Sequence, residues 1–439
     1  MRKISTFSKG GVHPADRKDL TCTKEIVRLP IPEIITVPFS QHLGVPAIPN
    51  VKKGDAVERG QKIGDAAGFI SADIHSPVAG KVLEIKELFL PNGMKAKAAV
   101  IEVDQERSAL TGKIENDWTQ MDPQEMVAKV KDLGIVGMGG ATFPANVKFT
   151  VPKGKKAEYV VINGVECEPY LTSDHRLMLE KGDKILQGSM MIAKMVDAKK
   201  IIIGIEKNKP DAMDNLERLI EQNSYPIEIQ PLKLKYPQGD EKQLLKATIG
   251  KEIQSGTLPI DIGAVVSNVG STFAVYEAIT NDKPLIERVV TVSGGAIKNP
   301  GNFLVTIGTP IQTIIDACDG FSETPDKMIA GGPMMGFGFY DLQTPVMKGT
   351  SGVLALTKKE SIKGEQSACI SCGRCVQACP MGLQPTKLYK NIKKANYDTA
   401  MAMNLLDCKE CGCCAFICPA KLPLVQSMRL GKRMSRKKK

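Results

Sequence analysis

Two stretches near the C-terminal end, CISCGRCVQACP at residues 369–380 and CKECGCCAFICP at residues 408–419, carry the same cysteine spacing. In each, four cysteines form a C-x2-C-x2-C-x3-C pattern that a proline follows. Three thiolates at this spacing wrap a compact loop around one face of an iron–sulfur cubane, with backbone N–H groups directed at its sulfurs. The doubled pattern therefore predicts two [4Fe–4S] clusters, which transfer electrons one at a time.

The spacing also indicates which thiolates share a cluster. In two-cluster ferredoxins the fourth cysteine of each motif ligates the cluster that the other motif holds. We therefore predict two ligand sets that exchange one cysteine each: Cys369, Cys372, Cys375 and Cys418 for one cluster, and Cys408, Cys411, Cys414 and Cys379 for the other. A structural zinc protein is the alternative, because zinc also accepts four thiolates.

Four further cysteines lie outside the pattern. Cys413 falls within the second motif and is predicted to be a spectator, with substitution for a neighbouring ligand as the alternative. Cys22, Cys167 and Cys318 are isolated and are not predicted to be ligands. Cys167 stands beside an acidic loop, so it is expected near a cofactor.

The composition is that of a globular protein, with 42% hydrophobic and 24% charged residues over 439 positions. This length predicts roughly three or four domains. No apolar stretch approaches the ~20 residues of a membrane span, and the N-terminus lacks the apolar segment of a secretory signal. We therefore expect a soluble or peripheral protein whose twelve cysteines serve metal ligation rather than disulfides.

The net charge of +11 is concentrated at the C-terminus, where residues 429–439 carry seven Lys and Arg and no acid. Such a tail is typical of contact with an anionic membrane surface or an acidic partner, and a solvated, disordered tail is the alternative. One tryptophan and 5% aromatic residues provide no stacking platform for bases. Nucleic-acid binding is therefore not expected.

Residues from about Pro30 to Val103 have the pattern of short strands broken by glycine, proline and asparagine, which indicates a small all-β unit. The unit resembles the barrel-sandwich fold of biotinyl and lipoyl carrier domains. Carriers place a modified lysine at a hairpin tip, but the matching turn from Phe69 to His75 contains none, so a packing or docking role is expected. His75 is predicted to be a structural turn histidine, with a ligand role as the alternative.

From about Asp122 to Ile279, predicted strands and helices alternate, which indicates an α/β layer with a largely parallel sheet. An Asp-Pro pair at residue 122 starts the first helix. Strands are predicted at EYVVING (158–164) and KIIIGIE (200–206), with one helix between them from about Ser173 to Asp197. The segment 288–318 then predicts a β-grasp-like module, and the region from about Ser361 is predicted to be helical.

Three closely spaced glycines, Gly137, Gly139 and Gly140, lie in the stretch GMGGATFPANVK. Such glycines expose backbone N–H groups and permit close approach to a phosphate, although a glycine cluster alone is often only a turn. The stretch is similar to the flavin-binding GRGGAGFPTGLK of the NADH-oxidising flavin subunits of respiratory complex I.

Four more segments resemble that family in the same order. They are VINGVECEPY (161–170), PQGDEK (237–242), VVSNVGSTFAV (265–275) and the Gly-Gly-Pro at 331–333. The resemblance implies a site for FMN with NAD(H) as the substrate.

The resemblance also implies a role for each matching residue. Gly137, Gly139 and Gly140 are expected to contact the FMN phosphate and ribityl chain. Further implied contacts are Lys148 neutralising the phosphate, Asn163 bonding the flavin, Gly239, Asp240 and Glu241 along the flavin edge, and Asn268 and Thr272 near the phosphate. For the nucleotide, Phe143 is expected to stack on the nicotinamide side, and Glu166 and Glu168 to contact the nicotinamide and ribose.

Two positions depart from the family pattern. Val165 stands where the family has Asp, and Met138 stands where it has Arg. Weaker FMN binding and rearranged NADH contacts are therefore expected. For Glu166 and Glu168, a solvated turn is the alternative to a binding role.

The combined modules resemble the C subunits of Rnf complexes, which are membrane-bound, ion-translocating ferredoxin:NAD oxidoreductases, over essentially the whole chain. The resemblance implies a peripheral electron-transfer subunit on the cytoplasmic face of a prokaryotic membrane. Its direct partners would be other membrane and iron–sulfur subunits, and ferredoxin would be an indirect partner. The alternatives are a soluble flavin/iron–sulfur reductase similar to cobalamin reductase and a flavin-free electron-transfer scaffold.

The predicted fold is thus multidomain, α/β and α+β. The expected divisions are 1–115 for an N-terminal region with the barrel-sandwich unit, 116–285 for a Rossmann-like FMN- and NADH-binding domain, 286–358 for a β-grasp module of SLBB type, 359–425 for a helical two-cluster ferredoxin-like domain, and 426–439 for a basic tail.

Overall fold

The computed structural model describes residues 4–108, 115–361 and 364–437. Its strands form four sheets within these ranges, and its C-terminal part is helical. The predicted combination of a β unit, a parallel α/β domain, a β-grasp module and a helical cysteine-rich domain is therefore confirmed. Within the described ranges, no helix is both long enough and apolar enough to cross a membrane.

Short strands with alternately buried side chains build the N-terminal β unit. The first strand in the described ranges, β1 (Ile26–Arg28), lies outside this unit. The unit itself consists of β2 (Ile34–Pro38), β3 (Ile48–Pro49), β4 (Ala56–Val57), β5 (Lys62–Asp65), β6 (Ile74–His75), β7 (Gly80–Phe89) and β8 (Lys95–Val103). Two antiparallel sheets, β2-β8-β7-β4 and β3-β5-β6, share one core that includes Ile35, Phe39 and Ile63. This is the expected barrel-sandwich arrangement.

The N-terminal residues that precede this unit belong to other modules. Strand β1 pairs in parallel with residues 302–304 of the β-grasp module, and Val12 forms a β-bridge with Tyr236 of the α/β domain. Within the predicted region 1–115, the residues before the β unit therefore pair with other modules. The open edges of neighbouring sheets explain this, because their unpaired backbone groups accept an added strand.

Alternating strands and helices build the central α/β domain. Its elements are α1 (Pro123–Asp132), α2 (Ala145–Phe149), β9 (Tyr159–Gly164), α3 (Ser173–Glu180), α4 (Gly182–Val196), β10 (Lys200–Glu206), α5 (Pro210–Asn223), β11 (Ile227–Leu232), α6 (Glu241–Ile249), β12 (Ala264–Asn268) and α7 (Val269–Asn281). All four strands are parallel, in the order β11-β10-β9-β12. Val160 and Ile162 enter one core and Val161 enters another, so both faces of the sheet are covered.

The single helix predicted from about Ser173 to Asp197 is wrong, because two helices, α3 and α4, occupy this stretch. They break at Lys181, whose φ of −131° and ψ of 26° lie outside the helical region. Gly182 then begins α4 where α5 comes close, since a Cβ at Gly182 would lie 2.8 Å from Leu219 Cδ1.

The β-grasp module follows as β13 (Glu287–Ser293), β14 (Gly301–Thr306), α8 (Ile311–Asp316), β15 (Lys327–Ala330), β16 (Phe337–Phe339) and β17 (Gly352–Leu356). Its sheet has the order β1-β14-β13-β17-β15-β16. Buried Lys348 joins this module to two others, since its Nζ donates to Asp73 O (3.0 Å) and Gly134 O (2.7 Å). His75 lies in the same junction, where burial lowers its pKa to about 3 and keeps the ring neutral.

The C-terminal domain contains the helices α9 (Arg374–Ala378), α10 (Pro385–Lys393), α11 (Tyr397–Ala402), α12 (Cys413–Phe416) and α13 (Leu424–Lys437). Most of the predicted basic tail is therefore helix, and a disordered tail is wrong for residues 426–437. Residues 438 and 439 lie outside the described ranges. Helix α13 docks on the second cysteine motif, because Lys432 Nζ donates to Cys408 O (2.6 Å) and Glu410 Oε1 (2.7 Å).

Gly188 sets the distance between α4 and α7, because a Cβ there would lie 2.4 Å from the backbone oxygen of Thr272. Gly188→Ala is expected to lower the melting temperature. Alanine favours a helix over glycine by about 1 kcal/mol, but an overlap with backbone costs roughly 1–3 kcal/mol.

The matched control is Gly338→Ala on the edge strand β16, where the added Cβ would lie 3.8 Å from its nearest neighbour, Met328 O. Melting curves by circular dichroism measure both variants. A Gly188→Ala protein that melts with the wild type would show that α4 and α7 have room to separate.

Candidate functional site

The candidate flavin site lies at the carboxyl edge of the parallel sheet. Asn163 near the end of β9 and Asn268 at the end of β12 are direct neighbours in strand register. Ligands of open α/β sheets bind outside this edge. The glycine-rich loop (residues 137–143) reaches Asn268, and the acidic loop (residues 165–170) continues from β9. The structure therefore brings together the segments that carry the predicted contacts.

Backbone hydrogen bonds hold the glycine-rich loop in place. Gly137 N donates to Phe143 O (2.8 Å), which closes the loop on itself. Met138 N donates to Ser271 Oγ (2.7 Å) in the first turn of α7. The Met138 side chain, 7% exposed, packs into the α/β core. Met138, which departs from the family pattern, therefore does not place its side chain in the space that the glycine-rich loop encloses.

The tip of the loop forms an open cradle over the N-terminus of α7. At Gly139 a Cβ would lie 2.8 Å from Asn268 Nδ2, so only glycine permits this approach. At Gly140 an added Cβ would meet no atom within 4 Å. Backbone N–H groups and a helix N-terminus together fit a phosphate group. The residues present therefore fit the phosphate end of FMN.

Asn268 and Thr272 hold the start of α7. Asn268 Oδ1 accepts from Ser271 N (3.2 Å), which caps the helix, and its Nδ2 donates to Asp174 Oδ2 (2.6 Å). Thr272 is fully buried, and its hydroxyl donates to Asn268 O (2.9 Å). Thr272 therefore shapes the helix terminus that the predicted phosphate would meet.

The predicted phosphate-neutralising lysine, Lys148, lies beside β12. Lys148 Nζ donates to Glu241 Oε1 (3.0 Å) and to Val266 O (3.2 Å). Both charged side chains are about one-third exposed, at 33% and 32%. Glu241 and the backbone of β12 therefore hold the ammonium group, and its contact with a phosphate stays a prediction.

The predicted flavin-edge residues form the entry to α6. Asp240 caps this helix, because its Oδ1 accepts from Lys242 N (3.1 Å) and Gln243 N (3.3 Å). Burial raises the pKa of Asp240 above its ordinary value. Asn163 Nδ2 donates to Gly239 O (2.8 Å), which ties the end of β9 to the same entry.

The side chain of Glu166 is 3% exposed, so a solvated turn does not describe this carboxylate. Its carboxylate caps α3, accepting from Asp174 N (2.7 Å) and His175 N (3.3 Å). Lys18 Nζ lies 3.9 Å from the same carboxylate. The backbone of Glu166 is left-handed, with φ of 46°. The contact with NADH stays a prediction, and the carboxylate also fixes the acidic loop on α3.

Glu168 points to the boundary between the α/β domain and the cysteine-rich domain. Its Oε1 accepts from the Tyr236 hydroxyl (3.2 Å), and its Oε2 accepts from Met334 N (3.0 Å). Burial raises the pKa of Glu168 to about 7. A Cβ at Gly332 would lie 2.2 Å from Oε2, so the Gly-Gly-Pro segment packs directly on this carboxylate. Glu168 is partly buried and both of its carboxylate oxygens have protein partners, while its contact with NADH stays a prediction.

The sequence prediction missed three residues of this site: Asp174, Tyr236 and Lys18. Burial and neighbouring Glu166 raise the pKa of Asp174 to about 7. Lys18 Nζ donates to Glu168 O (3.0 Å) from far away in sequence. No spacing pattern marks these residues, because the fold alone brings them together.

The two predicted ligand sets stay a prediction, and the structure places several motif cysteines beside the other motif. Cys369, Cys375 and Cys418 share one apolar cluster, which Cys414 also contacts, and burial together with nearby Cys418 raises the pKa of the Cys375 thiol. Cys414 has a pKa raised by burial and by three neighbouring thiols, those of Cys408, Cys411 and Cys379. The fourth cysteine of each motif thus lies beside the other motif, as cross-ligation requires.

The local geometry of the motifs fits a cubane. Glu410 N donates to Cys408 Sγ (3.4 Å), so a backbone N–H points at a ligand sulfur. In the described ranges, no group of three or more His, Cys, Asp or Glu side chains has the geometry to hold a single metal ion. The four thiolates of a [4Fe–4S] cluster bind four different iron atoms, so they do not need to converge on one point.

The second motif faces the α/β domain. Cys413 is fully buried, and its Sγ lies 3.9 Å from Tyr236 O. A Cβ at Gly412 would lie 2.8 Å from Met334 O. Since Tyr236 also bonds Glu168, one residue touches both the acidic loop and the second motif. The first motif lies further out, with Cys372 exposed.

That the remaining cysteines are not ligands stays a prediction. A hydrogen bond with Cys411, followed by burial, raises the pKa of the Cys413 thiol. Cys167 Sγ accepts from Gly239 N (3.4 Å) at the predicted flavin edge, so its expected proximity to the site agrees with its position. Cys318 is buried in the β-grasp core.

Four family models match successive parts of the chain. They are the RnfC barrel sandwich hybrid domain over residues 6–106, the Nuo51 FMN-binding domain over 130–277, the SLBB domain over 289–338, and the 4Fe-4S dicluster domain over 361–419. The chain thus carries an FMN-binding domain and a domain for two iron–sulfur clusters.

Several known proteins resemble the chain over nearly its whole length. The C subunit of the proton-translocating ferredoxin:NAD(+) oxidoreductase complex of Clostridium ljungdahlii is 46% identical over 98% of this chain and 94% of its own. The C subunit of the Na(+)-translocating complex of Acetobacterium woodii is 44% identical over 98% and 97%. The C subunit of the ion-translocating oxidoreductase complex of Rhodobacter capsulatus is 41% identical over 99% and 85%.

A solved structure also shares the fold. The NAD+-reducing [NiFe]-hydrogenase in the H2-reduced state gives a TM-score of 0.52 at 17% identity, covering 72% of this chain and 61% of that chain. At this identity the likeness concerns the fold alone.

Cross-ligation predicts different outcomes for the substitution of Cys379 and the substitution of Cys413. Cys379→Ser is expected to disturb the cluster of the second motif, 29 or more residues away, and to leave roughly four of eight iron atoms bound. Cys413→Ser is the matched control and is expected to keep both clusters. Iron analysis and electron paramagnetic resonance of anaerobic protein measure both. If Cys379→Ser lost the cluster of its own motif instead, the assigned ligand sets would be wrong.

Buried Glu168 predicts a pH dependence of stability. Its pKa is raised from 4.5 to about 7, so the folded state holds a proton that the unfolded state releases. Stability is therefore expected to fall as pH rises through this interval, by at most roughly 3 kcal/mol. Glu168→Gln mimics the protonated acid and should flatten this decline. Urea unfolding at pH 5 and pH 8 measures the free energy of unfolding of both proteins. If this free energy changed equally between the two pH values in both proteins, a protonated carboxyl at Glu168 would be contradicted.

Proposed function

Because the chain belongs to the family of C subunits of ion-translocating ferredoxin:NAD(+) oxidoreductase complexes, we propose that it is the electron-transfer subunit that meets NAD(H). It exchanges a hydride between NAD(H) and FMN, and passes single electrons through two [4Fe–4S] clusters to or from partner subunits. The observation that carries this proposal is the contact between the second cysteine motif and the acidic loop through Tyr236.

A nicotinamide exchanges two electrons as a hydride and a [4Fe–4S] cluster exchanges one, and FMN converts between the two when bound, because it is stable in three redox states. The chain's own residues hold the groups in order. The glycine-rich loop and the N-terminus of α7 bind the phosphate end, and Lys148 adds positive charge there. Asn163 and Gly239 to Glu241 line the flavin edge.

On the nucleotide side, the proposed contacts are Phe143, Glu166 and Glu168. Glu166 fixes the acidic loop by capping α3, and Phe143 closes the glycine-rich loop through its carbonyl. Glu168 is held from two sides, by Tyr236 and by Met334 N. These two hydrogen bonds fix the position of the Glu168 side chain at the boundary with the cysteine-rich domain.

The two departures from the flavin-subunit pattern are compatible with this function. Val165 is fully buried in the core beneath α6, and Met138 packs in the core beside α7. Neither side chain enters the glycine cradle. This argues against a flavin-free scaffold, and release of flavin from denatured protein tests it.

The alternative of a soluble reductase predicts no co-purification with membranes.

We further propose peripheral attachment at the cytoplasmic face of a prokaryotic membrane. The direct partners are other membrane and iron–sulfur subunits of the complex, and ferredoxin acts through them. Family membership supports this assignment, since relatives of the same length are named as subunits of proton- or Na(+)-translocating complexes.

The experiment is to purify the chain without oxygen and to measure its iron and flavin. About eight iron atoms and one FMN per chain are expected. Glu168→Ala should then lower NADH-dependent ferricyanide reduction while the iron content stays the same, because the residue touches the nucleotide side and no cluster. The control is Glu252→Ala, which changes an exposed acidic residue at the far edge of the parallel sheet.

Two results would contradict the proposal. Protein that holds iron but no flavin, even after incubation with FMN, would favour the scaffold. Equal losses of activity and iron in Glu168→Ala would show that the residue supports folding rather than the reaction.

A further inference from the structure

The glycine-rich loop is held at both ends by residues from outside the α/β domain. Just before the loop begins, Gly134 O accepts a hydrogen bond from Lys348 Nζ (2.7 Å) of the β-grasp module. Near the end of the loop, Thr142 O accepts from Leu43 N (3.1 Å) of the N-terminal β unit. Two neighbouring modules therefore fix the backbone that the predicted FMN phosphate would meet.

The start of the loop is closely packed around one buried ammonium group. Lys348 is 1% exposed, and its Nζ donates to Asp73 O (3.0 Å) of the β unit as well as to Gly134 O. Gly134 has a left-handed backbone with φ of 63°, and a Cβ there would lie 2.3 Å from Asp73 O. The backbone N of Lys348 donates to Gln41 Oε1 (2.9 Å), again in the β unit. The position of Gly134 thus depends on both neighbours.

The end of the loop is held in a conformation that its own residue disfavours. Thr142 is β-branched and has φ of 54°, which costs energy unless neighbouring groups stabilise it. A Cβ at Gly349 would lie 2.8 Å from Thr142 Cγ2, so the residue after Lys348 packs directly on this side chain. Consecutive residues of one β-grasp segment therefore contact both ends of the glycine-rich loop.

We propose that Lys348 is a positioning residue for FMN, and that a loop clamp made of Gln41, Leu43, Asp73, Lys348 and Gly349 holds the glycine-rich loop in the geometry that binds the phosphate. Backbone N–H groups bind an anion best when they are fixed before it arrives. The clamp gives a role to the β unit, which has a carrier-like fold without a lysine at its hairpin tip. This inference rests on the proposed FMN site and adds residues outside the FMN-binding domain that shape it.

The test uses the full chain with both clusters, from which flavin has been removed. Titrations with FMN and with riboflavin, which lacks the phosphate, give both dissociation constants from flavin fluorescence. Lys348→Met removes the donor and keeps an unbranched side chain. FMN is expected to bind about ten-fold or more weakly, because hydrogen bonds to a charged group contribute on this scale. Riboflavin binding should change by less than about two-fold, since it makes no phosphate contact.

The matched control is Asn302→Ala. Asn302 is 1% exposed, and its Nδ2 donates to Thr21 O (2.9 Å) and Lys24 O (3.1 Å), where the N-terminal segment meets the β-grasp sheet. This variant leaves two backbone oxygens without their donor, as Lys348→Met does, but these oxygens lie outside the glycine-rich loop. It should keep the wild-type ratio of FMN affinity to riboflavin affinity.

A second variant acts on the other end of the loop. Gly349→Ala places a Cβ against Thr142 and should lower the same affinity ratio while the iron content stays at the wild-type value. It changes no charge, so a lower ratio would reflect the position of the loop rather than the loss of a cation. If Lys348→Met does not yield folded protein, Gly349→Ala decides by the same ratio.

Two results would overturn the clamp. One is an unchanged affinity ratio in the clamp variants, and the other is an equal weakening of FMN and riboflavin, which indicates a general loss of stability. A wild-type protein that binds no FMN would refute the proposed function and this inference with it. A wild type that binds FMN, with variants that keep its ratio, would refute the clamp alone.

Discussion

The structure depends on one contact, the seating of the second cysteine motif on the loop that carries Tyr236. The Tyr236 hydroxyl bonds Glu168, and its backbone oxygen lies beside Cys413. Together with the contacts of the N-terminal segment, it joins the α/β domain to the cysteine-rich domain. With it, the predicted flavin site and the nearer cluster belong to one packed unit.

Segments distant in sequence maintain that contact. Val12 exchanges backbone hydrogen bonds with Tyr236 at 2.9 and 3.0 Å, and Gly11 N donates to Ala378 O at 2.9 Å. The N-terminal segment therefore lies between the α/β domain and the cysteine-rich domain and bonds to both. Helix α13 holds the second motif from the other side, through Lys432. The Gly-Gly-Pro segment of the β-grasp module packs against Glu168, on a further side of the same contact.

Local patterns in the sequence predicted the parts of the fold that local chemistry determines. The Asp-Pro pair at Asp122 predicted the start of α1, where its carboxylate caps the helix. The break at Lys181 and the pairing of β1 with the β-grasp sheet were not predicted, because packing partners decide them. Tyr236 and Asp174 were missed for the same reason, since their environment comes from residues far away in the chain.

The most direct test of the account is to follow electrons through the isolated chain. The anaerobic protein, loaded with FMN and reduced by dithionite that is then removed, is mixed with NAD+ while iron–sulfur absorbance and NADH are recorded. The account predicts that NADH forms as the clusters are re-oxidised, because both ends of the route lie in one packed unit. Clusters that stay reduced while FMN alone is re-oxidised would contradict it.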